Sequence, residues 1–289
     1  MTLFKFLRDV FVKPWFMITS RPWLEGEENI PASGPVILAS NHQSAIETVL
    51  LPAMVRREMS FAAKQELFAS KGLQNRILAT FLKAVGIQPL DRTGGRASAS
   101  SMEAVSGVLA DGGVLGIFPE GTRSPDGRLY KGKTGTARLV LAAGVPVVPV
   151  AMINTLAVEV KGWPFKRMRK PGIRFGPALD FSKWRAGAQN RDVIRHVTDE
   201  IMTAIMELSG QEYVDVYAAS LRQARAEGRE LAAPVLPRPG YGRPVPPVPG
   251  DVETVVAPTD RVGRGRDAVG LGPAVEDGTL PHAEPEETL

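Results

Sequence analysis

The 289-residue sequence has no cysteine. That excludes disulfides, thiolate metal sites and a cysteine nucleophile, and it fits a reducing compartment. Histidine is almost as scarce: His42, His196 and His282 are the only three. A histidine-rich metal centre is therefore not expected, and an imidazole base has to be one of these three. No apolar run approaches the roughly 18 residues that a membrane-spanning helix needs, and no apolar segment with a small-residue cleavage site marks a secretory leader. What is present is ordinary for a globular protein, with 44% hydrophobic and 23% charged residues.

The formal charge of +4 is unevenly placed. From Leu231 to Leu289 the chain is net −4 and lacks lysine, Phe, Trp, Ile and Met, while it holds 11 of the 24 prolines and 8 of the 29 glycines. Such a composition buries too little apolar surface to offset its ordering entropy, so residues 231–289 are expected to be a disordered tail. Residues 1–230 carry +8. Within the first 23, six aromatics (Phe4, Phe6, Phe11, Trp15, Phe16, Trp23) alternate with Lys5, Arg8, Lys13 and Arg21 against the single acid Asp9. Rings interleaved with cations suit the interface of an anionic bilayer, so residues 1–30 are expected to be an amphipathic, membrane-associating segment; a helix packed on the domain is the other reading.

Between these ends, over residues 31–230, short apolar runs alternate with helical patterns, as in an α/β domain whose central sheet, mostly parallel or mixed, is flanked by helices. Strands are predicted at Pro35 to Ser40, Met59 to Ala63, Ile87 to Leu90, Val114 to Phe118, Val145 to Met152 and Ile173 to Phe175. Helices are predicted at Ser44 to Arg57, Gly72 to Val85, Ala97 to Ala110, Thr134 to Ala143, Arg191 to Leu208 and Gln211 to Glu227. In the fifth, Val193, Val197, Ile201 and Ile205 form the apolar stripe, and His196 falls with Asp192 and Glu200 on the solvated face. His282 lies in the tail. This leaves His42 as the histidine to explain.

His42 directly follows the apolar run ending at Ser40 and Asn41, where a strand should give way to a helix and side chains face a cleft. Glu47, five residues on, can curl back to hold one imidazole nitrogen and leave the other to act as a base. Ser44-Ala45-Ile46-Glu47 also has the pattern of a capping box, in which Glu47 answers a backbone amide instead. Further on, Phe118-Pro119-Glu120-Gly121-Thr122-Arg123-Ser124 leaves a predicted strand in a turn. There Gly121 lets backbone approach a ligand, Thr122 offers a hydroxyl and Arg123 a planar fork suited to phosphate; a tight surface turn with an incidental arginine is the other reading, and the better one for this stretch alone.

These stretches together resemble the glycerolipid acyltransferase family, typified by lysophosphatidic acid acyltransferases. That family shows His, four intervening residues and Asp, matched here by His42 and Glu47. Its second block resembles Gly86-Ile87-Gln88-Pro89-Leu90-Asp91-Arg92, its third Phe118 to Ser124, and its fourth Val145-Pro146-Val147-Val148-Pro149-Val150. Phe61 to Phe68, which contains Lys64, looks like the stretch between the first two blocks. The four blocks stand in order over about 110 residues. Two departures are the Glu in place of Asp at position 47 and Gln88-Pro89 where the family is apolar or aromatic.

The resemblance implies transfer of a fatty acyl group from acyl-CoA or acyl-carrier protein to the free hydroxyl of a lysophospholipid, most directly 1-acyl-glycerol-3-phosphate. It implies no cofactor beyond the donor substrate and no metal. His42 would be the general base with Glu47 orienting it. The acceptor phosphate would be met by Arg123, with Thr122, Gly121 and Glu120 in the same loop and with Arg92 and Lys64. Val145, Pro146 and Val148 would wall an acyl-chain pocket. The basic run from Lys161 to Arg174, with Trp163 and Phe165 and no acid, would add a second contact to an anionic membrane surface or to the phosphates of CoA. Location at the cytoplasmic face of the cell membrane follows, and no nucleic-acid motif is present. A lipid-binding protein of the same fold, with turnover lost through Glu47, is the alternative.

Overall fold

The computed structural model describes residues 3–64, 87–90, 105–156 and 170–249. Ten strands are described: β1 (Trp23–Glu25), β2 (Val36–Ser40), β3 (Met59–Lys64), β4 (Ile87–Leu90), β5 (Val114–Ile117), β6 (Leu129–Tyr130), β7 (Val147–Ile153), β8 (Gly172–Phe175), β9 (Tyr213–Val214) and β10 (Val235–Leu236). Seven form one mixed sheet in the order β1-β8-β7-β2-β5-β3-β4, in which only β7 and β8 pair antiparallel. The central strand β2 reads Val-Ile-Leu-Ala-Ser and is buried at all five positions, the continuous apolar run expected of a parallel strand covered on both faces.

Strand pleating divides those residues between two cores. Val36 and Leu38 face a layer built with Phe16, Leu50, Leu51, Met59 and Phe61. Ile37 and Ala39 face a second layer with Leu139, Trp184, Val197, Ile201 and Ile205. The first layer is closed by α3 (Glu47–Met54) and by an N-terminal arm of α1 (Leu3–Leu7), a π-helical turn (Arg8–Val12) and α2 (Lys13–Thr19). The second is closed by α4 (Gly135–Ala143) and α5 (Arg191–Ser209). Helix α5 follows the predicted stripe and starts at Asn190, whose side chain accepts from the Asp192 N–H at 2.8 Å. Residues 105–110 are helical as predicted, while the stretches 65–86 and 91–104, with the predicted helix from Gly72 to Val85, lie outside the described residues.

Three sequence expectations change. Tyr213 and Val214, read as helix from Gln211 onward, form β9 in a small sheet with β6 and β10, and the helix there is the shorter α6 (Ala218–Ala226). His196 is half-buried, its ring edge-on to Trp184 at 4.8 Å. Within the basic run, Gly172 to Arg174 belong to β8, and Arg174 pairs with Glu25 at 3.0 Å. Residues 161–169 of that run lie outside the described residues.

The largest change concerns the C-terminal segment. Residues 231–249, expected to be disordered, lie along the body as a strap. Val235 and Leu236 pair with β9, Leu236 and Val248 pack on the second core, and Arg243 ion-pairs with Asp199 and Asp215. The domain therefore does not end at residue 230. A chain ended after Glu230 should unfold about 5 °C or more below the full-length protein, since several kilocalories per mole of packing and paired charge are lost; thermal unfolding followed by circular dichroism checks this. An unchanged midpoint would mean that the strap adds nothing to the fold.

Candidate active site

The carboxyl ends of four parallel strands meet at one edge of the sheet, and the sequence-predicted residues gather there. His42 stands two residues beyond β2, the Phe118 to Ser124 loop follows β5, Thr155 follows β7, and the register of β3 against β5 places Lys64 at the same edge. Arg92 lies outside the described residues.

Glu47 is fully buried as the first residue of α3. Its carboxylate accepts from His42 Nδ1 at 2.8 Å, from the Gln43 N–H at 2.9 and 3.2 Å, and from the Thr155 hydroxyl. A carboxylate accepts only, so Nδ1 carries the proton and Nε2 keeps a lone pair. Helix α3 begins without a side-chain cap, so the capping-box reading of Ser44 and Glu47 does not hold. The helix itself starts later than predicted because residues 43–46 are spent in the turn that folds Glu47 back onto His42, and it ends at Met54 rather than Arg57.

The Phe118 to Ser124 loop grips the same histidine by three contacts. Phe118 stacks on the imidazole at 3.9 Å and is itself stacked by Phe61 at 5.0 Å. The His42 N–H donates to Glu120 Oε1 at 3.0 Å, and the Ser124 N–H donates to the His42 carbonyl at 2.7 Å. Glu120 Oε2 accepts from the Tyr130 N–H at 3.0 Å, which ties the histidine to β6. Glu120 was expected to meet phosphate; at 1% exposure with both oxygens engaged, it serves the fold of the site instead. Burial, together with the neighbouring Glu47 charge, pushes its carboxyl up to about 8 against the opposing pull of the two backbone N–H groups.

Gly121, Thr122 and Arg123 project from this frame, and Arg123 is exposed. Gly121 adopts φ +70°, and an added Cβ would lie 3.0 Å from the side chain of Lys133, so the turn requires glycine there. Lys133 is thus a second cation beside the loop that its sequence context did not reveal. Asn41 is a second residue whose role the sequence did not reveal: fully buried, it pairs with both backbone groups of Met152 and donates to Gln211 Oε1 at 2.7 Å, while Gln211 donates to the Gly127 carbonyl at 2.6 Å. Among the described residues no group of His, Cys, Asp and Glu is arranged to hold a metal ion.

A family model described as Acyltransferase matches residues 21–153. The chain is 32% identical over 148 residues to the chloroplastic 1-acyl-sn-glycerol-3-phosphate acyltransferase of Arabidopsis thaliana, covering 50% of this chain and 40% of that one. It is 31% identical over 150 residues to the human alpha enzyme of the same name, covering 51% of each. This chain is similar in sequence to the glycerolipid acyltransferase family over residues 21–153. It spans about half the length of these relatives. Its fold is similar to the crystal structure of the 1-acyl-sn-glycerophosphate acyltransferase of Thermotoga maritima, with a TM-score of 0.52 and 24% identity over 71% of this chain and 78% of that one.

The fourth block departs from what the resemblance implies. The Ile37 N–H donates to the Pro146 carbonyl, so Val145 and Pro146 lie level with the start of β2, about 16 Å along the strands from the His42 edge. Val148 is fully buried in the core layer that holds α3. These three residues lie in the sheet and its core, away from the described residues around His42.

The raised carboxyl of Glu120 has a consequence for stability. Its folded value lies above the ordinary unfolded one near 4.5, so its stabilising contribution is complete below that pH and is lost as pH rises through about 8. Glu120→Gln gives up an acceptor for one backbone N–H at every pH but no longer titrates. The margin by which wild type outmelts this variant should therefore shrink from pH 5 to pH 8.5 in thermal unfolding. A constant margin would mean that Glu120 is ionised throughout the range.

Proposed function

We propose that the protein transfers a fatty acyl group from a thioester, acyl-CoA or acyl-carrier protein, to the free hydroxyl of 1-acyl-glycerol-3-phosphate, giving phosphatidic acid. The observation that carries this reading is the His42–Glu47 pair at 2.8 Å, with only Nδ1 of the ring bonded to a described residue. An alcohol is a poor nucleophile at neutral pH and needs a base close to the operating pH, which an imidazole supplies. Nε2 of His42 accepts the hydroxyl proton as the oxygen attacks the thioester carbon. The C–S bond breaks, the sulfur leaves as thiolate, and the proton held on Nε2 completes the thiol product. Glu47 fixes the tautomer and stabilises the imidazolium, as the third member of a hydrolase triad does.

Arg123, exposed on the loop whose base holds His42, meets the acceptor phosphate, with Gly121 and Thr122 shaping the approach. Lys64 and Arg92 remain candidates for the same charge, by their place in the family blocks. The intact His42–Glu47 geometry favours turnover over the alternative of a lipid-binding protein without it. Thiol release from a long-chain acyl-CoA, with and without 1-acyl-glycerol-3-phosphate, tests the reading. His42→Ala and Glu47→Gln should lower kcat by about 100- to 10,000-fold, whereas Arg123→Ala should raise KM for the phosphate acceptor far more than KM for the donor. Acceptor-dependent thiol release that is unchanged in His42→Ala would overturn the mechanism.

The chain also docks on an anionic membrane surface, in this reading at its cytoplasmic face. Among the described residues no helix is long and apolar enough to cross a membrane. The N-terminal arm is fixed to the body by buried Phe16 and by Arg8, whose guanidinium donates to the Val55 carbonyl at 3.2 Å. It exposes Phe6, Val10, Phe11, Trp15, Met17 and Ile18, the last 78% exposed. So much apolar surface on one short arm is costly in water and suits the boundary between headgroups and acyl chains. Replacing Phe11 and Trp15 together by Ser should weaken sedimentation with anionic vesicles at least tenfold without changing the melting temperature. Equal sedimentation would assign docking to another surface.

A further inference from the structure

The strap of residues 231–249 reaches the acceptor loop through a continuous set of polar contacts, and Arg243 is where that set begins. Its two terminal nitrogens divide between two carboxylates: Nη1 donates to Asp199, and Nη2 to Asp215 at 3.0 and 3.1 Å. The strap can come this close because Gly240, at φ +71°, runs directly over Asp199; a Cβ there would stand 3.0 Å from Asp199 Oδ2.

From the two carboxylates, two routes lead to the turn of residues 131–133. Asp215 holds Lys131 Nζ at 3.2 Å. Asp199 holds Arg195, whose Nη1 donates to the Gly132 carbonyl at 2.8 Å. The same segment supports the acceptor loop from beneath: the Lys133 N–H donates to the Pro119 carbonyl at 2.8 Å, and the Tyr130 N–H donates to Glu120. Apart from the single backbone steps from Gly132 to Lys133 and from Lys131 to Tyr130, every link from Arg243 to Pro119 and Glu120 is an ion pair or a hydrogen bond.

We propose that Arg243 is a positioning residue for the acceptor site: by bridging Asp199 and Asp215 it fixes the 131–133 turn, and through that turn the Gly121-Thr122-Arg123 loop. The inference rests on the acyl-transfer reading above for its kinetic consequence, but the mechanical link stands without it. Only a guanidinium suits the position, because its planar fork serves two carboxylates at once, whereas an ammonium is a point charge. Without it, Asp199, only 5% exposed, keeps a single cation partner, and the strap loses its hold on both carboxylates.

Kinetics and amide exchange on the full chain test this, with Arg243→Ala and Arg243→Lys assayed below their unfolding transitions. Arg243→Ala should raise KM for 1-acyl-glycerol-3-phosphate about 10- to 100-fold and leave KM for the acyl donor within about twofold, with Arg243→Lys in between. Hydrogen exchange should quicken about tenfold or more across residues 119–133 and stay unchanged across β7. A residue that merely stabilises the fold would lower the folded fraction, reducing apparent kcat with both KM values intact. That result, or unaltered exchange at residues 119–133, overturns the proposal. Wild-type protein without any acceptor-dependent thiol release would remove the acyl-transfer reading instead, and the exchange arm would still decide the link.

Discussion

Two buried glutamates hold one histidine, and the rest of the site is arranged around that constraint. Glu47 orients the ring and Glu120 fixes the main chain, each withdrawn from water. Burying a carboxylate is expensive unless donors replace its hydration, so the ring of His42, the Gln43 N–H and the Thr155 hydroxyl are needed by Glu47 as much as Glu47 is needed by the ring. Two carboxylates so placed do not both ionise cheaply. The protein separates them by supply of donors: Glu120 receives backbone N–H groups alone and is pushed up by burial and by the Glu47 charge.

The sheet makes this arrangement possible, because parallel strands deliver their carboxyl ends to one edge. β2 brings Asn41 and His42, β5 brings the Phe118 to Ser124 loop, and β7 brings Thr155, so residues more than 100 positions apart in sequence meet within hydrogen-bond distance. The loop after β5 is the least supported of these by strand pairing. It is held instead from below by Tyr130 and Lys133, and beyond them by α5, β9 and the strap. For an exposed arginine on a loop to meet a phosphate, as proposed for Arg123, such support matters, since a flexible side chain on a flexible loop would lose on ordering much of what its charge provides.

How much of this could be read from sequence depended on the kind of force involved. β2, β5, β7 and α5 were legible because burial on both faces, or on one stripe, leaves a periodic apolar signature. The pairing of His42 with Glu47 was legible as spacing, although spacing alone could not separate an imidazole partner from a helix cap. Glu120 sat in a recognisable block, yet a motif gives residue types and not the direction a side chain takes; the carboxylate points inward and the arginine three residues later outward. Thr155, Asn41 and Gln211 carry no local signal, since their partners are distant in the chain. The strap failed for a different reason. Composition counts apolar side chains, whereas residues 231–249 need only a few of these, among them Leu236 and Val248, beside a two-residue strand, a glycine passing over Asp199 and Arg243.

The glutamate at position 47, where the family has aspartate, is explained by what lies opposite it. From the first residue of α3 its carboxylate must reach His42 and Gln43 on one side and Thr155 on the other. An aspartate on the same backbone would bring its carboxylate about 1.5 Å less far, the length of one C–C bond, and could keep its charge near the ring only by giving up the hydroxyl or by drawing β7's end inward. The longer side chain and the hydroxyl after β7 are therefore one feature in two pieces. The extra methylene does not loosen the dyad, because its rotational freedom is removed by Thr155 at one oxygen and by His42 and Gln43 at the other. A residue that looked like a weakened catalytic partner in the sequence is, in the fold, a carboxylate held from both sides.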